Sequence, residues 1–222
     1  YDQTPSIVSD LVGEYSDSVG ITLSWTHSDT ASDLWYRIFR GAGTTDMTFL
    51  DSIQTLSYTD TTVSDGEKDY SYQVSAYRWI EVGDSSLLLE SEQSDSLWIP
   101  RQPELALSHH GNGFDLSWDN GSAQSAGYLI ERQDTGSYAI IDTLIDGSAK
   151  SYLDSLVEPG QAYSYRIRSY SADMRGWSSY SNEVRGHYDQ TPSIVSDLVG
   201  EYSDTSTIHL SWSHTDASDD IW

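Results

Sequence analysis

The sequence predicts an all-β protein, built as tandem β-sandwiches in an extended array, and three observations support this class. Short segments that alternate apolar and polar residues recur along the 222 residues, and no window shows a long amphipathic helical period. Clusters of Ser, Asp, Asn and Gly separate these segments at intervals of about 8–12 residues. A long internal repeat divides the chain into units of about 93 residues, which is the size of one sandwich.

The alternating segments place the strands of two successive units. In the first unit strands are predicted at 21–25, 35–40 and 70–74, and in the second at 114–118, 128–132 and 163–167. Each segment is rich in Tyr, Trp, Ile, Leu and Val, which favour a pleated, half-buried surface. Residues at every second position are therefore expected to face a core.

The long repeat has an offset of 187 residues, since residues 1–17 recur letter for letter at 188–204. Further along, the apolar residues of one alternating segment recur while the residues between them differ, as expected of a strand with one buried face. These recurring residues are Ile21, Leu23 and Trp25, which return as Ile208, Leu210 and Trp212. Trp25 and Trp212 are therefore predicted to be core residues.

A weaker repeat divides the long one into two related halves. Trp25 and Trp118 are 93 residues apart, and so are Tyr70 and Tyr163. This spacing predicts a domain at 1–100, a second at 101–187, and at 188–222 the N-terminal part of a third that repeats 1–35. Pro100 and Pro103 mark the first junction, where short proline-bearing connections predict a near-fixed arrangement of neighbouring domains.

The motifs of both complete units resemble the fibronectin type III domain. The second unit carries Leu-Ser-Trp at 116–118, Tyr-x-Ile-x-Arg at 128–132, Pro-Gly-x-x-Tyr-x-Tyr-x-Ile at 159–167 and Trp-Ser-Ser-Tyr-Ser at 177–181. The resemblance implies immunoglobulin-like sandwiches in a repeat array of a bacterial-type surface or fibre protein. It also implies that Trp118 packs between the sheets and that Tyr70 and Tyr163 form tyrosine corners. The first unit departs from the pattern, because residues 64–70 lack the proline and an insertion of six residues lies near 80–90.

Composition limits the environment and the partners. A formal net charge of −24 and a pI near 4.1 repel phosphate backbones and anionic membrane surfaces, so neither nucleic acid nor membrane insertion is expected. No apolar run approaches the roughly 20 residues of a membrane-spanning helix. The chain has no cysteine, which excludes disulfides and thiolate chemistry. Its acidic, Ser/Thr-rich and Lys-poor composition favours an extracellular or cell-surface location.

The residues that carry chemistry in other proteins give no catalytic, cofactor or metal pattern here. The adjacent pair His109-His110 would point to opposite faces of a strand and would chelate poorly. Calcium is the more plausible inorganic partner, although solvated acidic loops are the favoured interpretation because neither cluster has EF-hand spacing. The two clusters are Asp60, Asp65 and Asp69, and Asp216, Asp219 and Asp220.

Two surface features leave alternatives open. Asn120 begins the sequence Asn-Gly-Ser, which is either a glycosylation site or a plain Asn-Gly hairpin turn. Four tryptophans without an obvious core position would stack on sugar rings if they were exposed. These are Trp35, Trp79, Trp98 and Trp177.

The sequence therefore predicts a non-catalytic structural repeat segment of a secreted or cell-surface fibre, stalk or adhesin, whose partners are copies of itself and glycans. The alternative is a carbohydrate-binding or spacer module of a secreted polysaccharide-degrading enzyme. Residues 188–222 supply only the opening strands of a sandwich. Trp212 is thus expected to be buried against residues that this segment lacks, supplied either by the same chain or by another chain.

Overall fold

The computed structural model describes residues 4–16, 18–43, 46–63, 68–119, 121–189, 196–203 and 206–213. These residues form eighteen strands and one short 3-10 turn, at Ala172–Met174. The strands are β1 (Ser9–Ser16), β2 (Gly20–Thr26), β3 (Trp35–Ala42), β4 (Thr48–Ile53), β5 (Ser57–Asp60), β6 (Tyr70–Val82), β7 (Ser85–Glu90), β8 (Leu97–Ile99), β9 (Glu104–His110), β10 (Gly113–Asp119), β11 (Gly127–Gln133), β12 (Ala139–Leu144), β13 (Ser151–Asp154), β14 (Gln161–Tyr170), β15 (Gly176–Trp177), β16 (Val184–Tyr188), β17 (Ser196–Tyr202) and β18 (Ile208–Ser213).

The first sandwich packs the sheet β1-β2-β5 against the sheet β4-β3-β6-β7. The final strand is split, because β7 and then β8 pair with successive parts of β6. Ile21, Leu23 and Trp25 alternate with exposed residues along β2 and face the core. The insertion near 80–90 lengthens the β6–β7 hairpin, which turns at Gly83.

The second sandwich repeats this topology with β13-β10-β9 facing β12-β11-β14, and its final strand is split into β15 and β16. The predicted all-β class with tandem sandwiches is therefore confirmed. One core draws its buried residues from 8–99 and the other from 105–188. The domain boundaries themselves stay a prediction, and Tyr188, which we assigned to a third domain, packs on Phe114 in the second core with ring centroids 5.7 Å apart.

The predicted aromatic residues of both complete units are buried. Trp25 meets Tyr36 edge to face at 5.6 Å, and Trp118 meets Tyr128 at 5.2 Å. The Tyr163 hydroxyl accepts a 2.9 Å hydrogen bond from the backbone N–H of Glu158, which is the contact of a tyrosine corner. Tyr70 is buried as well, while residues 64–67 before it lie outside the described residues.

The hairpin β17–β18 reproduces β1–β2, including the bulge. Asp10 and Asp197 both have a left-handed backbone, with φ of 53° and 54°. Each carboxylate accepts a hydroxyl hydrogen bond from the facing strand, at 2.6 Å from Thr26 and at 2.7 Å from Ser213. The two hairpins therefore share one register and one bulge.

The two hairpins differ in how much of their apolar side chains is exposed to solvent. Trp212 is 55% exposed, because the described residues place no second sheet over β17–β18, whereas Trp25 is 4% exposed. The predicted core role of Trp212 therefore stays a prediction.

Gly20 has a φ of 103°, and a Cβ there would lie 2.2 Å from the carbonyl oxygen of Asp60. Thr207 is the counterpart of Gly20 in the repeat, because the two positions are 187 residues apart. The hairpin β17–β18 therefore cannot take the place of β1–β2 in the first sandwich of another copy unless the backbone at Asp60 moves.

Candidate functional site at the sandwich junction

One continuous sheet crosses from the second sandwich to the first. The short strand β15 pairs antiparallel with β14 and parallel with β1, so that Gly176 faces Gly13 and Trp177 faces Glu14. The Gly13 N–H donates a 2.8 Å hydrogen bond to the carbonyl oxygen of Arg175. Backbone pairing of this kind leaves no unpaired edge at the point of contact and fixes the register between the two sandwiches.

Gly176 is a glycine because the neighbouring backbone leaves no room for a side chain. A Cβ at this position would lie 1.9 Å from the carbonyl oxygen of Trp98, which closes the first sandwich. The Gly176 N–H also donates to the Ser171 hydroxyl at 3.0 Å, and the Ser171 N–H donates to the Gly176 carbonyl at 2.8 Å. The turn before β15 is therefore held at both of its ends.

Hydrogen bonds anchor the connection between the domains to both sandwiches. On the first sandwich, the Arg101 N–H donates to the Asp69 carboxylate at 2.8 Å. On the second, the Asn182 side-chain amide bridges the edge of β9, since its oxygen accepts from the Leu105 N–H and its nitrogen donates to the Leu105 carbonyl, both at 2.8 Å. The Gln102 amide donates to the carbonyl of Tyr180. These hydrogen bonds anchor the connection at Arg101, Gln102 and Leu105.

An ion pair also joins the two sandwiches. The guanidinium of Arg168 contacts the Glu14 carboxylate at 2.5 Å and lies over the Trp177 ring, 4.4 Å from its centroid. The Glu14 side chain is 60% exposed, so solvent screens the pair and its contribution is about 0–1 kcal/mol. The junction therefore depends on backbone pairing and close packing more than on charge.

Sequence reasoning missed a pair of serines that shapes this part of the second sandwich. The hydroxyls of Ser178 and Ser181 accept hydrogen bonds from the backbone N–H groups of Ser169 and Ile167, at 2.9 and 3.1 Å. The first sandwich contains the same arrangement, because Ser91 and Ser94 accept from Ala76 and Val74 at 3.0 and 3.1 Å. The available signal was the spacing Ser-x-x-Ser directly after β7 and directly after β15, although the same spacing also occurs elsewhere in the chain.

Beside the Ser178–Ser181 pair, the rings of Trp177 and Tyr180 stack alternately with arginines. The centroid distances along this cation–π ladder are 4.4, 4.8, 3.8 and 4.1 Å. Its members are Trp177, Arg168, Tyr180, Arg166 and Tyr138. Burial, and then the hydrogen bond to Glu131, raise the pKa of Tyr180, so this hydroxyl stays protonated as a donor.

A cleft of about 300 Å³ opens beside the junction. One wall is the outer face of β1 and β2, and the other is the turn before β15. The turn has two consecutive non-glycine residues in the left-handed region, Asp173 and Met174, with φ of 58° and 54°. The lining residues are Val12, Gly13, Glu14, Thr22, Ser24, Met174, Arg175 and Trp177.

The four tryptophans named for sugar stacking fall into two groups. Trp98 and Trp177 are half-buried at the junction. Trp35 is 37% exposed and lies beside Tyr77 at 6.4 Å, and Trp79 on the long β6–β7 hairpin is 55% exposed. Asn120 lies outside the described residues, so its glycosylation stays a prediction.

Asp60, a member of one of the two acidic clusters, does not lie in a solvated loop. Asp60 is fully buried, and its carboxylate accepts hydrogen bonds from Arg40 at 2.7 Å and from the Tyr72 hydroxyl at 2.9 Å. Our interpretation of Asp60 as a loop carboxylate was therefore wrong, because the side chain points into the sandwich. Across the described residues no three His, Asp or Glu side chains gather in a way that could hold a metal ion. The residues Asp65, Asp216, Asp219 and Asp220 lie outside the described ranges, and calcium binding stays a prediction.

Comparisons with known proteins find similarity to fibronectin type III segments. No protein-family model matches the chain. The receptor-type tyrosine-protein phosphatase eta of Gallus gallus is 27% identical over 212 residues, which cover 94% of this chain and only 14% of that protein.

Two similar solved structures contain tandem fibronectin type III domains. The FN1–FN3 domains of chicken CNTN1 match at 12% identity and a TM-score of 0.33, covering 84% of this chain and 68% of that one. A two-domain segment of chicken tenascin matches at 17% identity and a TM-score of 0.33, covering 81% of this chain and 97% of that one.

Fibronectin type III domains are typical of extracellular and cell-surface proteins, and they are generally not catalytic. Within the described residues, no helix is long and apolar enough to cross a membrane. The bacterial-type origin and the absence of enzymatic activity stay predictions.

Proposed function

We propose that this chain is a structural repeat segment of a secreted or cell-surface fibre, stalk or adhesin, in which the sandwiches act as stiff spacers joined end to end. The observation that carries the proposal is the parallel pairing of β15 with β1, which makes the two sandwiches share a sheet. A spacer needs its joints to resist bending. Interfaces between domains of one chain more often permit relative motion.

Several contacts of the junction oppose bending together. Rotation of one sandwich against the other would break the Gly13 to Arg175 hydrogen bond and lift Gly176 from the Trp98 carbonyl. The repeat with an offset of 187 residues adds a second argument, because length is the property that duplication increases. Copies of the same unit along the array are the partners that this role requires.

The alternative function, a carbohydrate-binding or spacer module of a polysaccharide-degrading enzyme, has one observation in its favour. Trp35 and Trp79 are exposed on the first sandwich, where flat indole faces could stack on a sugar. The face of Tyr77 is already occupied, since the Arg37 guanidinium lies 4.6 Å from its centroid. The spacer role therefore remains the better-supported proposal.

Small-angle X-ray scattering of the intact chain tests the spacer role. Strands of about 7–10 residues, at about 3.3 Å per residue, make one sandwich with its loops about 30–35 Å long. Two sandwiches in line should therefore extend about 65–70 Å. We expect the scattering profile of an elongated particle with one well-defined cross-section. Scattering that fits freely jointed or folded-back sandwiches would contradict the proposal.

A further inference from the structure

The cleft at the junction is lined by an arginine that no carboxylate of the described residues neutralises. The described residues include no ion-pair partner for Arg175, and its Nε is buried without a hydrogen bond. Six of the nine arginines form an ion pair with a described carboxylate, and Arg175 is one of the three that do not. A guanidinium without a carboxylate partner is free to pair with an anion in the cleft that it lines.

The backbone holds Arg175 in this position at a cost. The two residues before it, Asp173 and Met174, are both in the left-handed region, which is strained for residues other than glycine. The Arg175 carbonyl is fixed by the hydrogen bond from Gly13. The side chain is therefore carried by a turn with a defined direction, at the edge of the cleft that it lines.

The rest of the lining is chemically mixed. Thr22 and Ser24 contribute hydroxyl groups from β2, and Glu14 contributes a carboxylate. Val12 and Met174 are 38% and 44% exposed and offer apolar surface beside the Trp177 indole. A cleft with one free guanidinium, two hydroxyls, one carboxylate and an apolar wall fits a ligand that has a carboxylate and several hydroxyls on a compact ring.

We propose that this cleft binds one sugar-acid residue, a hexuronate unit of an acidic polysaccharide. Arg175 would receive the carboxylate, because a guanidinium matches the planar geometry of that group. Thr22, Ser24 and Glu14 would exchange hydrogen bonds with the ring hydroxyls, and Trp177 with Met174 would pack on the ring face. A volume of about 300 Å³ lies at the lower end of the range for ligand sites and suits one ring.

Because the protein has a large negative net charge, we expect the site to bind its ligand selectively but with low affinity. At −24 the chain repels anions at long range, so binding must come from the short-range contacts of the cleft. A free carboxylate without a ring would gain too little to remain bound. Both sandwiches supply lining residues, and the ligand would therefore also strengthen the junction.

Titration of the intact ¹⁵N-labelled chain with D-glucuronate tests the proposal, with D-glucose and acetate as matched ligands. We expect saturable shifts of the Gly13 and Gly176 amides and the Trp177 indole with glucuronate, and binding at least roughly tenfold weaker with either matched ligand. Equal binding of glucose would exclude the guanidinium contact. Equal binding of acetate would exclude the ring contacts, and absence of saturable shifts with glucuronate would overturn the site altogether.

Two variants and one control connect the binding to the named residues. Arg175→Gln should weaken glucuronate binding at least roughly tenfold, which is what loss of a charge-assisted hydrogen bond predicts. Arg185→Gln, which changes an exposed arginine of β16, should leave it unchanged. Because Arg175→Gln could disturb the turn, Thr22→Val gives a separate test on β2 and should weaken binding of glucuronate as well. Unchanged affinity in both variants would overturn the site, whereas the spacer role depends on none of these results.

Discussion

Trp118→Ala should destabilise the second sandwich by about 3–5 kcal/mol, a large part of the 5–15 kcal/mol that stabilises a typical domain. Trp118 is 5% exposed and lies between the two sheets against Tyr128, so its removal leaves a cavity that the surrounding strands cannot fill. Urea denaturation of the intact chain, followed by circular dichroism, measures the effect. The transition of the second sandwich should move to lower urea, and that of the first should not.

Trp177→Ala is the matched control for this substitution. Trp177 is half-buried and stacks on Arg168 at the surface, so we expect a cost of about 1–2 kcal/mol. A larger loss for Trp177→Ala than for Trp118→Ala would mean that the centre of the core is not where the burial places it.

Asp60→Ala should destabilise the first sandwich by a similar amount, about 3–5 kcal/mol. The carboxylate is fully buried, and its loss would leave the Arg40 guanidinium and the Tyr72 hydroxyl without the partner on which both converge. Asp84→Ala, in the exposed turn of the β6–β7 hairpin, is the control and should change stability by less than about 0.5 kcal/mol. Equal effects of the two substitutions would show that the buried pair contributes nothing.

The same carboxylate predicts a loss of stability in acid. Burial tends to raise the pKa of Asp60, but hydrogen bonds from Thr62, Arg40 and Tyr72 outweigh it and hold the pKa below its usual value of 3.8. A folded-state pKa below the unfolded one stabilises the protein above pH 4 or so, and this contribution is lost as the pH falls through the folded-state pKa. Urea titrations between neutral and acid pH should show a smaller acid sensitivity of the first sandwich in Asp60→Ala than in the wild type.

The sequence predicted the parts of the fold that depend on periodicity. Alternation along 21–25 and 114–118 is enough to assign β2 and β10 and the burial of Trp25 and Trp118, since a strand with one buried face has no other register. The network around Asp60 was not predicted. The signal was the segment Ser-Tyr-x-Asp, which ends a strand at 57–60 and again at 151–154, where Asp154 is buried as well.

The junction was predicted only in outline. Pro100 and Pro103 indicated a short connection, but the pairing of β15 with β1 joins residues more than 160 positions apart and leaves no trace in either segment alone. The need for a glycine at position 176 is evident only once the Trp98 carbonyl is known to lie beside it. Among the described residues Arg175 has no ion-pair partner, which depends on which carboxylates the fold brings near it and cannot be read from composition.

Residual dipolar couplings of backbone N–H groups in the weakly aligned intact chain measure directly whether the two sandwiches hold one orientation. We expect couplings from β1–β8 and from β9–β16 to fit a single alignment tensor, because the shared sheet fixes one sandwich on the other. In Gly176→Ala the new Cβ would collide with the Trp98 carbonyl, so the two sets should separate into tensors of different magnitude while both cores remain folded. Two different tensors in the wild-type chain would contradict a stiff junction and with it the proposed spacer role.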